Sequence, residues 1–312
     1  MNECFRPLRA EDIPAAKALW KICFGDSDQY IDFFFERKFI PRNSLGLFLD
    51  GCLAADLFMQ EKTLVLQGCN LRTGFLAGCA THPDFQKKGY MRKLLQRELE
   101  VMCKQGYALC ALHPFLHAFY RKFGWETASY MVRVALPAAK PASAVILQDD
   151  VDCAHLLSMY QRYMLDAQGY FARSLEDMRC KIDEHCADGG KILKTDEYYA
   201  FYDVLEDHID VTENTCRSER ECYDMAERLS GYQLPLNFWL PVHIKTAIPA
   251  QQACEYTMFR ICNPAEFKDL CGDQNIFKPV DNMEKSKTAS QQAIRTLFEN
   301  PLKNAYVFFD QF

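Results

Sequence analysis

Paired cysteines are missing: none of the 15 cysteines in the 312 residues stands in a Cys-x-x-Cys spacing, and their number is odd. With a charged opening, MNECFRPLRAEDIP, in place of the apolar core of a signal peptide, the sequence leads to the expectation of a reduced, cytoplasmic chain. Each thiol taken singly reads first as buried structural cysteine. No apolar run approaches the roughly 20 residues that a membrane span needs, so no membrane partner is expected. Gly-x-Ser-x-Gly and P-loop patterns are absent, which removes the usual hydrolase and nucleotidase signatures. Excess basic charge is absent too. A net charge of -6, without a basic patch carrying interleaved aromatics, argues against nucleic acid and suits a cationic amine substrate. His113 and His117 have the spacing of a helical metal pair, but Pro114 lies between them and no third ligand is near, so no metal is expected.

What is present concentrates in residues 75–125. Residues 75–81, FLAGCAT, are uncharged and apolar enough to be buried on both faces of a sheet, and Pro83 stops them because proline has no N–H to give a ladder. Over residues 91–103, Met91, Leu94, Leu95, Leu99 and Met102 recur at three- and four-residue spacing, while Lys93, Gln96, Arg97 and Glu100 take the other face, which predicts an amphipathic helix. Between them, Gln86-Lys87-Lys88-Gly89-Tyr90-Met91 places free backbone N–H groups at the positive end of the helix dipole, where phosphate binds. Lys87, Lys88 and Arg92 add full positive charge. A basic turn is also an ordinary solvated surface, so the loop alone leaves both readings open. Further on, residues 116–125, LHAFYRKFGW, predict a short helix that carries Tyr120 and is closed by Gly124.

At these residues the sequence resembles the GNAT acetyltransferase superfamily. Its pyrophosphate motif, Gln/Arg-x-x-Gly-x-Gly/Ala, matches Gln86 and Gly89 and departs at Met91; its aromatic-Tyr-x-x-x-Gly-aromatic motif matches Phe119, Tyr120, Gly124 and Trp125. The basic-basic-Gly run followed by bulky residues and a basic one, Lys87-Lys88-Gly89-Tyr90-Met91-Arg92, is similar to that of the Eis (enhanced intracellular survival) branch. The resemblance implies acetyl-CoA as co-substrate and an α/β chain of the α+β kind, with tandem GNAT folds on mixed, mostly antiparallel sheets. Its expected parts are a catalytic domain at residues 1–136, a second GNAT-like domain without the cofactor loop at 144–250, and an abbreviated sterol-carrier-like region at 257–312. A length of 312 residues exceeds one acetyltransferase domain of about 150 and calls for two domains or more. Strands are predicted at residues 45–49, 52–59, 63–66 and 108–112, with 130–135 closing the first domain. Helix is predicted over 28–39. Gly169-Tyr170 with Arg173, and Ile209-Asp210-Val211 with Glu213, carry the weaker likeness of the second domain.

The resemblance also implies roles. Backbone at Cys79, Ala80 and Thr81 would pair with the pantetheine arm, and a strand N–H there would stabilise the developing oxyanion. Gln86, Lys87, Lys88, Gly89, Tyr90, Met91 and Arg92 would hold the pyrophosphate, and Phe115 and Leu116 complete the cofactor site. Tyr120 would be the general acid, its phenol pKa near 10 matched to a leaving thiolate. The α-carboxylate of Phe312 would be the general base. Phe24, Asp26, Phe34 and His82 would face a small amine or lysine-bearing peptide: the aromatics are either core or cleft walls, Asp26 either an acceptor contact or a solvated carboxylate, and His82 either a proton relay or a structural histidine. A trimer or hexamer is implied by the same resemblance. The alternative function is a non-catalytic acyl-CoA sensor or scaffold.

Overall fold

The computed structural model describes residues 2–139, 152–244, 246–249, 252–263, 283–298 and 306–307. They fall into two compact units: described residues up to Ala128 and from Thr257 to Leu297 in the first, and those from Ser129 to Tyr256, with Phe298, Tyr306 and Val307, in the second.

The first unit opens with β1 (Glu3–Arg6), α1 (Ile13–Phe24) and α2 (Asp28–Phe33), which runs on as a π-helical turn over Phe34–Lys38. α1 carries a proline in its first turn, where a missing N–H costs nothing, and ends at Gly25 with φ 77°. An antiparallel meander follows: β2 (Ser44–Leu49), β3 (Cys52–Leu66) and β4 (Cys69–Thr81). Asp50-Gly51 and Gln67-Gly68 connect these strands, and all four residues have positive φ, as tight hairpins of this twist require. α3 (Tyr90–Lys104) then crosses over to β5 (Leu109–Leu112), parallel to β4, and α4 (His117–Arg121) leads to β6 (Glu126–Thr127).

Side-chain alternation divides this sheet between two cores. Leu57, Met59 and Leu112 pack with Leu94, Leu95 and Met102 of α3 on one face. Phe58 and Ala77 pack with Trp20, Phe34 and Phe35 of the α1–α2 region on the other. Burial of each large side chain contributes about 1.5–3 kcal/mol. Opposite Leu57, two residues of β4, Gly78 and Cys79, stand against one of β3, which makes a bulge. Gly78 has φ 56°, and a Cβ there would lie 2.5 Å from the Trp20 ring. Beside it, β4 and β5 pair only from Thr73–Leu109 to Phe75–Ala111, whereas β4 continues to Thr81.

The second unit contains β7 (Tyr130–Leu136), α5 (Cys153–Met164), β8 (Gly169–Phe171), α6 (Leu175–Ala187), β9 (Lys191–Lys194), β10 (Tyr199–Val204), β11 (Ile209–Asn214), α7 (Glu219–Arg228), β12 (Leu236–Pro241) and β13 (Cys254–Glu255). Its sheet has the order β13-β7-β12-β11-β10-β9, with β11 and β12 parallel. A buried ion pair sits inside: Arg173 Nη1 and Nη2 donate to the Glu213 carboxylate at 2.7 and 2.8 Å, and Tyr199 Oη donates to it at 2.6 Å. Burial alone would push the Glu213 pKa up, but the guanidinium overcomes it and holds the carboxyl below its ordinary value.

The chain then returns to the first unit. β14 (Met258–Ile261) lies between β5 and β6, antiparallel to both, and α8 (Met283–Leu297) packs beside it; β15 (Tyr306–Val307) pairs with β8 in the second unit. This corrects two expectations. Residues 130–135 close no sheet of the first unit; β7 pairs with β12, and β14 fills the place beside β5. No sterol-carrier-like unit appears among the described residues after 257, because β14 and α8 bury their apolar side chains in the first unit. Local alternation in residues 130–136 fits either sheet, so the choice is made by packing. Residues 28–39, expected as one helix, divide at Phe34, and residues 52–66 form a single strand. Among the described residues no helix is long and apolar enough to cross a membrane.

One buried acid of α3 yields a stability test. Glu98 is buried and has no hydrogen-bond or ion-pair partner among the described residues, and desolvation raises its pKa from 4.5 to about 7. A raised carboxyl leaves stability intact below pH 4.5 and removes it as pH climbs through about 7. Glu98→Gln should therefore stabilise the protein at pH 8 by about 3 kcal/mol, at 1.36 kcal/mol per pKa unit, and leave it nearly unchanged at pH 4. Denaturant melts at both pH values read this out, and equal shifts at the two would refute it.

Candidate active site

The helix predicted to start at Met91 starts one residue earlier, at Tyr90, with Gly89 as its N-cap in the left-handed conformation, φ 81°. Lys87 is left-handed as well, φ 61°, a conformation that costs an L-residue about 1–2 kcal/mol. The first-turn N–H groups of Tyr90, Met91 and Arg92 have no intrahelical acceptor by the geometry of any helix start. Gln86 Nε2 donates to the Thr81 carbonyl at 3.2 Å and Lys88 Nζ to the Asp84 carbonyl at 2.8 Å, tying the loop to the strand end. A Cβ on Gly89 would meet the Arg92 guanidinium at 3.3 Å, so the arginine lies over the glycine.

This loop forms one side of an open cleft of about 920 Å³. Cys79 and Thr81 of β4 line its inner wall; Gln86, Lys87, Lys88, Gly89, Tyr90, Met91 and Arg92 line the loop side. Across from them stand Phe115 and Leu116, then Phe119, Tyr120, Lys122 and Phe123 around α4, and Lys287 of α8. Phe115 is 89% exposed. The cleft occupies the space opened where β4 outlasts its pairing with β5.

At the inner end the Tyr120 side chain neighbours the Cys79 thiol, and both line the cleft. Burial pushes the Cys79 thiol up to about 12, so it is a neutral thiol and no nucleophile at physiological pH. Burial and the neighbouring Cys79 raise Tyr120 well above its ordinary value, so the phenol keeps its proton. α4 is held from behind by the returning segment. Gly124 follows it with φ 92°; a Cβ there would collide with the Arg260 guanidinium and approach the backbone of Lys287 to 3.0 Å. Gln291 Nε2 donates to the Arg121 and Trp125 carbonyls at 3.0 and 3.2 Å, and Arg295 pairs with buried Glu126 at 2.6 Å.

The residues named for the acceptor are scattered more widely. Phe34 is fully buried in the aromatic core, 4.6 Å from the Trp20 ring by centroids. Phe24 is half-buried, 6.4 Å from Phe115. Asp26 accepts from Trp20 Nε1 at 2.7 Å, which anchors the α1–α2 loop. His82 Nδ1 accepts from the Asp84 N–H at 3.3 Å, which leaves the proton of the neutral ring on Nε2. None of these four lines the cleft, and neither does Ala80, which is buried opposite Asp56. Phe312 lies outside the described residues. No group of three or more His, Cys, Asp or Glu able to hold a metal occurs among the described residues.

Residues 4–128 match the family model described as an acetyltransferase (GNAT) domain. The first unit therefore carries the GNAT-superfamily acetyltransferase fold, and the chain is an enzyme of the acetyltransferase class. Among solved structures, a protein of unknown function from Enterococcus faecalis, described as a probable N-acyltransferase, is similar at a TM-score of 0.67 with 16% identity over 86% of this chain and 74% of that one. A GCN5-related N-acetyltransferase from Anabaena variabilis gives 0.66 and 15% over 85% and 74%. Eis1 from Mycobacterium abscessus gives 0.60 and 17% over 84% and 74%. No curated protein matches the sequence.

Sequence reasoning missed Phe85, Phe119, Lys122, Phe123 and Lys287 as cleft residues. The spacing of Phe119 and Phe123 on one helical side was the signal for Phe123, and Lys122 stands beside it. Nothing in the sequence around Lys287 signals the cleft, because β14 and α8 bring it there. Gly124→Ala adds a side chain at a positive φ against Arg260 and α8, and should destabilise the first unit by about 1–3 kcal/mol. A thermal melt as high as that of the unmutated protein would show that α4 does not depend on this contact.

Proposed function

We propose that the chain is an acetyl-CoA-dependent N-acetyltransferase of the Eis-like branch. Its acceptor is a primary amine of an aminoglycoside, a polyamine or a lysine side chain, which attacks the thioester directly. The observation that carries this reading is Tyr120 beside Cys79 in a cleft that also combines a helix N-terminus with Lys87, Lys88 and Arg92. The basic-basic-Gly loop and the fold shared with Eis1 support the branch. The net charge of -6 supports a cationic acceptor.

The residues present suit acetyl-CoA: first-turn amides and cations for its phosphates, an open strand edge for its amides, and no carboxylate among the described lining residues. When bound, it supplies the acetyl thioester. Residues 86–92 hold the phosphate end and residues 79–81 orient the arm. Tyr120 Oη holds the proton that the departing sulfur takes, and its raised pKa keeps that proton in place while the site waits. A thiol as weakly acidic as Cys79 supports direct transfer rather than a covalent enzyme intermediate. Of the proton acceptors named from the sequence, His82 is the one among the described residues.

Coenzyme A release, followed with aminoglycosides, polyamines and lysine peptides, tests the reaction. Tyr120→Phe should lower kcat on the order of 100-fold and leave cofactor affinity unchanged. Full turnover in that variant would reassign Tyr120 to packing, and cofactor binding without turnover of any amine by the unmutated protein would defeat the acceptor assignment. Because burial raises Tyr120, kcat should show no alkaline loss from this group below a pH of about 10. Gly89→Glu, which puts a carboxylate and a Cβ beside Arg92 at a positive φ, should abolish acetyl-CoA binding in calorimetry; unchanged affinity would contradict the phosphate assignment.

A further inference from the structure

Arg260 is a buried cation without an anion. It stands in β14 opposite Cys110 of β5, is 8% exposed, and makes no hydrogen bond or ion pair among the described residues. Burial holds its pKa below the ordinary arginine value, but a guanidinium keeps its charge at any physiological pH. Glu126, which faces Phe259 across the β14–β6 ladder, is taken by Arg121 and Arg295. An unpaired buried charge weakens a fold, so stability does not account for Arg260. What it does meet is Trp125: its guanidinium carbon lies over the indole, 5.5 Å from the ring centroid. A cation in that place is held by the ring quadrupole, and more strongly where water is excluded. Trp125 is fully buried and its Nε1 has no hydrogen-bond partner among the described residues, so ring contacts set the plane of the indole.

Trp125 in turn stands edge to face with Tyr120, with ring centroids 6.0 Å apart at 74°, and its backbone N–H donates to the Tyr120 carbonyl at 3.4 Å. Phe119 meets the same phenol ring at 5.1 Å and 90°. Such edge-to-face pairs have a preferred geometry, so the two rings together fix how the phenol lies. The guanidinium also lies against the turn between Tyr120 and Trp125, since a Cβ at Gly124 would sit 3.1 Å from Arg260 Cζ. We propose that Arg260 is a positioning residue for Tyr120: its charge over Trp125 fixes the indole plane, and the indole holds the phenol in the orientation from which its hydroxyl donates. The proposal rests on the acetyltransferase reading above, in which Tyr120 Oη gives its proton to the departing sulfur. Reaction rate falls steeply with misplacement of a reacting group, so a contact that adds nothing to stability counts in turnover. Arg260 lies outside residues 4–128, so the matched acetyltransferase range lacks it.

A double-mutant cycle in the full chain tests this, read by coenzyme A release and by denaturant melts. Arg260→Met removes the charge and keeps an unbranched stem. Its kcat should fall about 3- to 30-fold, while the amine KM and the acetyl-CoA affinity stay unchanged and the melting midpoint stays equal or rises. Arg260→Lys, which keeps a cation beside the ring, should recover most of the loss. In a Tyr120→Phe background Arg260→Met should cost no further turnover, because the hydroxyl that it orients is gone. Arg260→Gln repeats the cycle should the methionine disturb folding. An unchanged kcat in the neutral variants, or the same fold-loss with and without the Tyr120 hydroxyl, would overturn the proposal and leave the role of Tyr120 standing. Loss of the fold in both neutral variants would also overturn it, since Arg260 would then serve stability. Full turnover in Tyr120→Phe alone would remove the reading of Tyr120 and the proposal with it.

Discussion

The parting of β4 from β5 after Phe75 is the constraint on which the site depends. A parallel pair that stayed in register would satisfy its own backbone and leave no place for a ligand. Here the bulge at Gly78–Cys79 bends β4 away, and the aromatic core under it makes the bend permanent: Trp20 and Phe58 fill the space into which a side chain at position 78 would point. The same bulge presents Cys79 to Tyr120. One glycine thus links the packing of α1 on one face of the sheet to the chemistry on the other.

Electrostatics divides the cleft along its length. At its outer end solvent-exposed cations collect around amides. Behind its inner end the ionisable groups are all pushed toward their neutral forms by burial: Asp56, Glu98, Cys79 and Tyr120 each titrate above their ordinary values. Asp56 is the extreme case, 1% exposed with Oδ2 lacking a hydrogen-bond partner among the described residues, next to Cys79 and Cys23 in electrostatic reach. A uncharged inner end and a charged outer end favour a ligand with phosphates on one terminus and a neutral acyl group on the other. The contribution of the far end of the chain fits the same division, since β14 and α8 brace α4 from behind and add Lys287 at the outer end.

Much of this was legible in the sequence where the determinants are local. The apolar run of residues 75–81, the proline after it and the three- and four-residue spacing of Leu94, Leu95 and Met102 place the end of the strand, the loop and the helix to within a residue or two, while the strand itself begins six residues earlier, at Cys69. Gly89 and Gly124 mark positions where φ is positive, and the helix that carries Tyr120 lies between them. Non-local choices were not legible. Residues 130–136 alternate in a way that suits either sheet, and only the packing of the whole chain, in which β14 pairs with β5 and β7 with β12, decides it. Phe34 belongs to a run of aromatics whose members differ in burial by their position on a distorted helix, a distinction that composition does not carry. Lys287 owes its place to the return of the chain after residue 257.

The account claims that one continuous surface, from the open end of β4 to the first turn of α3, receives acetyl-CoA. Hydrogen–deuterium exchange of the full chain with and without saturating acetyl-CoA tests this most directly, because it reads backbone amides without needing an acceptor. Slowed exchange in peptides covering residues 77–81 and 87–92, with the second unit unchanged, is the predicted result. Protection confined to the second unit, or no protection in those two stretches at saturation, would contradict it.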